Sequence, residues 1–324
     1  MISNSDPTFI VLDEMNGSGQ TGSVTLSARG DQTGVVVSAT ADISALAHIH
    51  EGSCAELGGV AHELNDTSES ISSTTVDATL DSLIDGRFAV NLHTDGDPGV
   101  YNSCGDIKKA LAVASLGPSG DDTLYQSQGD QTNNEAGEWL FAGATREGNL
   151  RRSLISFDIG AAILAGPTVT TVSLTLTVSR SIASATEIGI HTLLGAWQEG
   201  AADALGNEGS GAAAEATDGD VTRTHRVFGS DAWDTPVKDF SPNASATVMV
   251  NGRRAYAWDS SSQLVADVQA WLDDPSGNFG WLIMGDASKN QTANRFDSSD
   301  SPEASGRTVL VVEYRPSELR PGKA

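Results

Sequence analysis

Basic residues are scarce in this chain. Nineteen Lys and Arg stand against 43 Asp and Glu over 324 residues, a formal net charge of −24. A surface of that sign repels phosphate backbones and anionic headgroups, which argues against nucleic acid and acidic membranes as partners. Long apolar runs are missing as well. None approaches the roughly 18 residues of a bilayer-spanning helix, so no membrane insertion is expected. The opening MISNSDPTFI has neither the basic nor the apolar segment of a secretory signal. Only two cysteines occur, Cys54 and Cys104, both in glycine-containing, turn-like settings. One disulfide and an oxidising compartment suit that pattern. The expectation is an extracellular or cell-surface protein read without its signal peptide.

Glycine, by contrast, is abundant at 34 residues, and long helical patterns are few. From Thr8 to Ile107 short alternating segments (TFIVLDEM, GSVTLSARG, TGVVVSATAD, AHIH, FAVNLH) recur between Gly, Asn and Asp, the rhythm of a β-sandwich. ALAVASLGPSGDD then loses the alternation, and the boundary falls near residue 118, giving domains 1–118 and 119–324. The second half resumes with strand patterns such as RRSLISFDI, TVTTVSLTLTVSR and RTVLVVEY. EGAADALGNEGSGAAAEATDGD reads as a mobile surface loop. One helix stands out: SSQLVADVQAWLDDP has a serine cap at Ser261 or Ser262, Leu264, Val265, Val268 and Leu272 at helical spacing, and a stop at Pro275. The fold class is all-β: a Greek-key sandwich followed by a jelly-roll sandwich carrying one short helix.

Four of the six histidines fall in the first domain. On a strand, residues i and i+2 share a face, so His48 and His50 in AHIHEGSC present two imidazoles side by side. His93 ends the strand FAVNLH, and His62 follows Cys54. Imidazole suits Cu, Zn and Ni, and a tetragonal nitrogen set favours Cu(II). The plainer reading is a half-exposed strand from which the histidines simply alternate outward.

VLDEMNGSGQTGSVTLSARGDQTGVVVSATAD, AHIHEGSC, NLHTDGDPG and SCGDI, in that order and spacing, resemble the Cu/Zn superoxide dismutase family over most of residues 7–109. The same pattern is similar to the chordin-type (CHRD) relatives of that fold. The resemblance implies copper on His48, His50 and His93, and a disulfide between Cys54 and Cys104. The zinc ligands of the family have no counterparts, so a single copper is expected, with His62 as a fourth ligand or a loop residue. Where the family carries a substrate-attracting arginine, three residues before the last cysteine, this chain has Tyr101. Any dismutase activity is therefore expected to be weak or absent.

RRSLISFDI, GAWQEG, LVADVQAWLDDPSGNFGWLIMGD and ANRFDSSDSPEASGRTVLVVEY resemble the DNRLRE-type jelly-roll modules related to carbohydrate-binding modules. That resemblance covers residues 123–315 and implies attachment to a polysaccharide or extracellular matrix. Trp233 and Trp258, flanked by Asp and Ser, are candidate sugar-stacking platforms; Trp271 and Trp281 belong in the core. Arg253, Arg254 and Arg295 are candidates for an acidic glycan, Arg295 equally for a fold-supporting ion pair. EATDGDV and RFDSSD are acidic stretches that suit a structural calcium, without EF-hand spacing. No G-x-S-x-G elbow or other nucleophile–base constellation occurs. Two further readings stand beside the copper-binding, matrix-attached protein. One is a non-catalytic adhesive or filament subunit, homo-oligomeric; the other is a glycan-binding accessory region of a polysaccharide-degrading enzyme.

Overall fold

The computed structural model describes residues 7–40, 44–109, 111–126, 131–134, 136–163, 166–204, 208–234 and 239–315. Two compact units divide the chain between residues 110 and 111.

The first unit is one curled antiparallel sheet of eight strands. They are β1 (Thr8–Glu14), β2 (Gly22–Arg29), β3 (Gln32–Ala39), β4 (Ala47–Ser53), β5 (Glu56–Glu63), β6 (Ile71–Val76), β7 (Asp85–Thr94) and β8 (Asp97–Lys108). Their order across the sheet is β5-β4-β7-β8-β1-β2-β3-β6. One face supplies the core. Ile10 and Leu12, Val24 and Leu26, Val35 and Val37, Ile49, and Val90 and Leu92 alternate inward and are buried, each worth about 1.5–3 kcal/mol against exposure. A single-turn helix, Leu80–Leu83, adds two leucines to that cluster; the Thr79 side chain caps it by accepting the Ser82 N–H.

Cys54 and Cys104 are bonded, with Cα atoms 5.7 Å apart. The bridge ties the turn after β4 to β8. Gly52, at φ +91° and with its Cα against the Glu56 carbonyl, makes the tight turn that brings Cys54 there. Asp106 on β8 accepts the Cys54 N–H at 2.8 Å.

In the second unit the main antiparallel sheet runs through strands Ala246–Val250, Thr186–Thr192, Trp281–Gly285, Leu150–Ser156, Trp139–Ala144, Asn294–Asp297, Thr168–Ser181, Val309–Arg315 and Ala112–Leu116. Gly120–Tyr125 and Ala255–Trp258 pair to its side. The sequence reads residues 110–122 as an exit strand and linker with a boundary near 118. In the structure Ala112–Leu116 pairs with Val309–Arg315, so the strand belongs to the second unit. The helix spans Ser262–Asp273, and Ser261 caps it by accepting the Leu264 N–H. Its Leu264, Val268, Trp271 and Leu272 enter the core, where Trp271 meets Trp281 at 4.5 Å between ring centres.

The stretch read as a mobile loop, residues 199–220, is anchored wherever it is described. Ala214–Glu215 pairs with Thr132–Asn133, and Glu208 is buried, accepting from Asn134 Nδ2 at 2.8 Å and Glu138 N at 3.1 Å. Its small residues hide these polar anchors, and residues 205–207 lie outside the described set.

Candidate metal centre

β4 alternates strictly where it matters. Ile49 points into the core, so His48 and His50 emerge on the opposite face. β7 lies beside β4 with His48 opposite Asn91 and His50 opposite Ala89. Ala89 and Asn91 therefore share the histidine face, and His93, two residues further on, continues it. The pairing of β7 with β8 shifts register on both sides of His93, where it faces Tyr101. The three rings are almost fully covered, at 9%, 4% and 1% exposure for His48, His50 and His93. Tyr101 closes the site, its ring centre 5.1 Å from that of His93 and 6.3 Å from that of His50.

The outward nitrogens fix which atoms face inward. His48 Nε2 lies 2.8 Å from Glu63 Oε2, and His50 Nδ1 lies 3.0 Å from the Gly58 carbonyl. Both partners accept, so those two nitrogens carry the hydrogens. In the neutral rings His48 Nδ1 and His50 Nε2 are then bare lone pairs. They converge on His93 Nε2, at 3.0 Å and 3.3 Å. All three nitrogens fall within 4.8 Å of one another.

That cluster is unsatisfied as it stands. A hydrogen on His93 Nε2 would have to be shared between two acceptors and would leave the buried Nδ1 without a partner. A hydrogen on Nδ1 would instead leave three lone pairs facing each other. The Pro98 backbone draws the ring's pKa upward without reaching a hydrogen bond to Nδ1. Burial, and then the neighbouring His48 and His50, push the His93 pKa down to about 4, so near neutral pH this ring is an uncharged donor. A cation bonded to all three nitrogens resolves the conflict. Two nitrogens about 2.0–2.1 Å from one ion sit about 2.9 Å apart at a right angle and about 3.3 Å apart at a tetrahedral one. The two spacings to His93 Nε2, 3.0 Å and 3.3 Å, match these values.

His62 does not join the cluster. It pairs with Ile49, whose side chain is in the core, so it lies on the wrong face of the sheet and packs 6.3 Å from Phe88. The β5 residue that serves the site is its neighbour Glu63, opposite His48. Neither Glu63 nor Gly58 carries a sequence signal, because both depend on a β4–β5 pairing that slips register between Ile49 and His50 and again before Gly52.

The other candidates sort differently. Trp233 and Trp258 are not stacking platforms, being 6% and 0% exposed. Trp258 shares the inner face of its strand with Tyr256 and donates to the Ile188 carbonyl at 3.0 Å. Trp233 packs with Leu124, Leu154 and Leu282 and donates to the Thr222 carbonyl at 2.8 Å. The polar neighbours that suggested exposure lie outside these faces. Trp271 and Trp281 are buried, as expected. Arg295 donates to Ser179 Oγ and the Gly209 carbonyl and stacks over Trp139 at 4.2 Å. Arg253 and Arg254 are exposed, Arg254 over Tyr256. Of the acids weighed for calcium, Asp220 accepts from Ala201 N, Thr217 N and Thr217 Oγ1. Among the described residues, the histidine triad is the one group of three metal-binding side chains.

Residues 8–100 match the model of the CHRD domain. The match takes in all three histidines and Cys54. No curated protein matches the chain.

Proposed function

We propose that the first unit is a mononuclear copper-binding centre, and that the second attaches the protein to a polysaccharide or extracellular matrix outside the cell. One observation carries the copper reading: three buried imidazole nitrogens converge with two of their tautomers locked from behind. His48 Nδ1, His50 Nε2 and His93 Nε2 would hold the ion. An all-imidazole set suits copper, which heads the affinity order of the divalent first-row metals. When bound, copper supplies one-electron chemistry between Cu(I) and Cu(II), or simply a sequestered ion.

The protein's own residues set the terms of that chemistry. Glu63 and the Gly58 carbonyl orient two rings and raise their basicity. Burial keeps His93 neutral and available, and Tyr101 screens the open side. With Tyr101 in place of an arginine and a net charge of −24, nothing draws an anionic substrate inward, so fast dismutation is not part of this reading. The disulfide and the CHRD match support an extracellular setting; among the described residues no helix is long and apolar enough to cross a membrane. The resemblance of residues 123–315 to DNRLRE-type modules supports the attachment role.

Copper titration of the full chain tests the centre. One equivalent is expected to bind with nitrogen hyperfine structure in the electron paramagnetic resonance spectrum, and His48→Ala to remove it. Spectra without nitrogen coupling would refute the site.

A structural subunit is the second reading. Phe9, Val11 and Ile71 stand 66%, 57% and 57% exposed, Val11 and Ile71 on one row of the sheet, an unusual display on the face turned away from the core. Sedimentation velocity at increasing concentration tests it: concentration-dependent assembly supports this reading, and a persistent monomer rejects it.

A further inference from the structure

One cavity of the second unit runs against the charge of the whole molecule. It has a volume of about 400 Å³, and Arg146, Arg151, Arg180 and Arg295 line it, with Glu147 the single acid. Four of the nineteen basic residues of a chain at −24 thus face one space. The ion pairs among the described residues of this unit lie elsewhere, at Arg226–Asp231 and Lys289–Asp286. The four guanidinium groups are therefore uncompensated by any carboxylate within 4.0 Å among the described residues.

Their positions are held. Arg180 and Arg295 both donate to the Gly209 carbonyl, at 3.1 Å and 2.9 Å. Arg295 also stacks on Trp139, and Arg151 stacks on Tyr125 at 4.6 Å while donating to the Gln126 and Leu150 carbonyls. Arg146 is exposed and gives its side-chain donors to nothing in the described chain. Arg151 keeps a buried Nε without a partner. Asn294, 1% exposed and on the cavity wall, keeps an unpartnered Oδ1. Burial, and then the neighbouring Arg180, depress the Arg295 pKa.

We infer that this cavity binds a carboxylate-bearing saccharide, a uronic acid residue of an anionic polysaccharide. Guanidinium forks match a planar carboxylate bidentately, and the wall offers arginine alone, with no lysine. Part of the remaining wall carries hydrogen-bonding groups suited to sugar hydroxyls. Asn294 Oδ1 is an acceptor, while Thr145, Asn149 and Ser210 supply hydroxyls and an amide. Phe141, Ile182 and Ala293 are the cavity's apolar side chains, too few for a lipid chain or an apolar peptide. This inference rests on the attachment role proposed above and gives it a site and a ligand class.

Calorimetric titration of the full chain with tetragalacturonate, its neutral tetragalactose analogue and a sulfated galactan tests it. Tetragalacturonate is expected to bind, weakening as salt rises, and the neutral analogue to fail. The double variant Arg146→Ala/Arg180→Ala should lose about tenfold or more in affinity, the loss of one charge-assisted hydrogen bond at least. Its thermal midpoint should stay within a few degrees of the parent, and Arg146→Lys/Arg180→Lys should recover part of the loss. Equal binding by parent and double variant would overturn the cavity assignment while leaving attachment intact. Preference for the sulfated or the neutral polymer would overturn the carboxylate assignment. Failure of all three saccharides would remove both the cavity and the attachment role.

Discussion

At the scale of single residues, the proposed metal centre depends on groups that would never touch an ion. Glu63 holds the His48 ring through Nε2 at 2.8 Å, and so decides that Nδ1 faces inward. Glu63→Gln should keep a hydrogen-bonding shape but lose the charge that raises ring basicity. Copper affinity is then expected to fall about 10–100-fold, with little change in stability, because this carboxylate is exposed. Competition titration against a copper chelator measures it, and an unchanged affinity would show that the carboxylate does not set the ring. His48 and His50 were legible in the sequence, since alternation on a strand is a local property. Glu63 was not. Its role follows from cross-strand register, which the bulges in β4 and β5 shift, and the same register removes His62, its sequence neighbour. Trp233 and Trp258 were misread for a related reason. Polar flanks report on residues next door, whereas burial is decided by which face a side chain takes.

A second residue makes a pH prediction. Asp121 is fully buried in the strand Gly120–Tyr125, with Oδ2 accepting from Ser299 N at 2.8 Å and Oδ1 unpartnered. Burial, and then the nearby Glu199 and Asp300, push its pKa up to about 7 from an ordinary 3.8. Between those values the folded chain holds a proton that the unfolded chain has released. Stability is therefore expected to decline as pH rises from about 4 to about 7, by on the order of 4 kcal/mol at most. Asp121→Asn should flatten that slope and leave the variant more stable than the parent at pH 8. Denaturant unfolding at pH 5 and pH 8 checks it; parallel slopes in parent and variant would show that Asp121 does not titrate in this window.

At the scale of elements, β4, β7 and β8 carry the site between them, and the disulfide locks the outer two together. Cys54 follows β4, and Cys104 sits on β8 opposite Asn91, the residue that faces His48. Removing the bridge with Cys54→Ser/Cys104→Ser is expected to cost about 2–5 kcal/mol and to weaken copper binding, since the β4–β7–β8 frame that presents the three histidines and Tyr101 loosens. Thermal unfolding with and without copper reads both effects. A variant that unfolds at the parent's temperature would deny the bridge its role. The strands themselves were largely readable from period-2 patterns and turn residues, and the one long helix from its serine cap and apolar spacing. The anchoring of residues 199–220 was hidden because Glu208 finds its partners far along the chain, at Asn134 and Glu138.

At the scale of the whole molecule, two units share one strongly acidic chain, and each carries a local exception to its surroundings. In the first, three imidazole nitrogens converge with no arrangement of hydrogens that satisfies them all. In the second, four arginines line a cavity with no carboxylate within 4.0 Å of their guanidinium groups among the described residues. The division between the units was read eight residues late, because a strand at the edge of the second sheet pairs only with Val309–Arg315, about two hundred residues away. No local pattern marks such a partner. The CHRD match covers residues 8–100 and so speaks for the first unit alone.

The most direct measurement is copper stoichiometry with pulsed electron paramagnetic resonance on the intact chain and on His93→Ala. One tightly held ion coupled to three imidazole nitrogens, lost or reduced to two nitrogens in the variant, is the expected result. An identical spectrum from parent and variant, or none bound by either, would contradict a centre built on His48, His50 and His93.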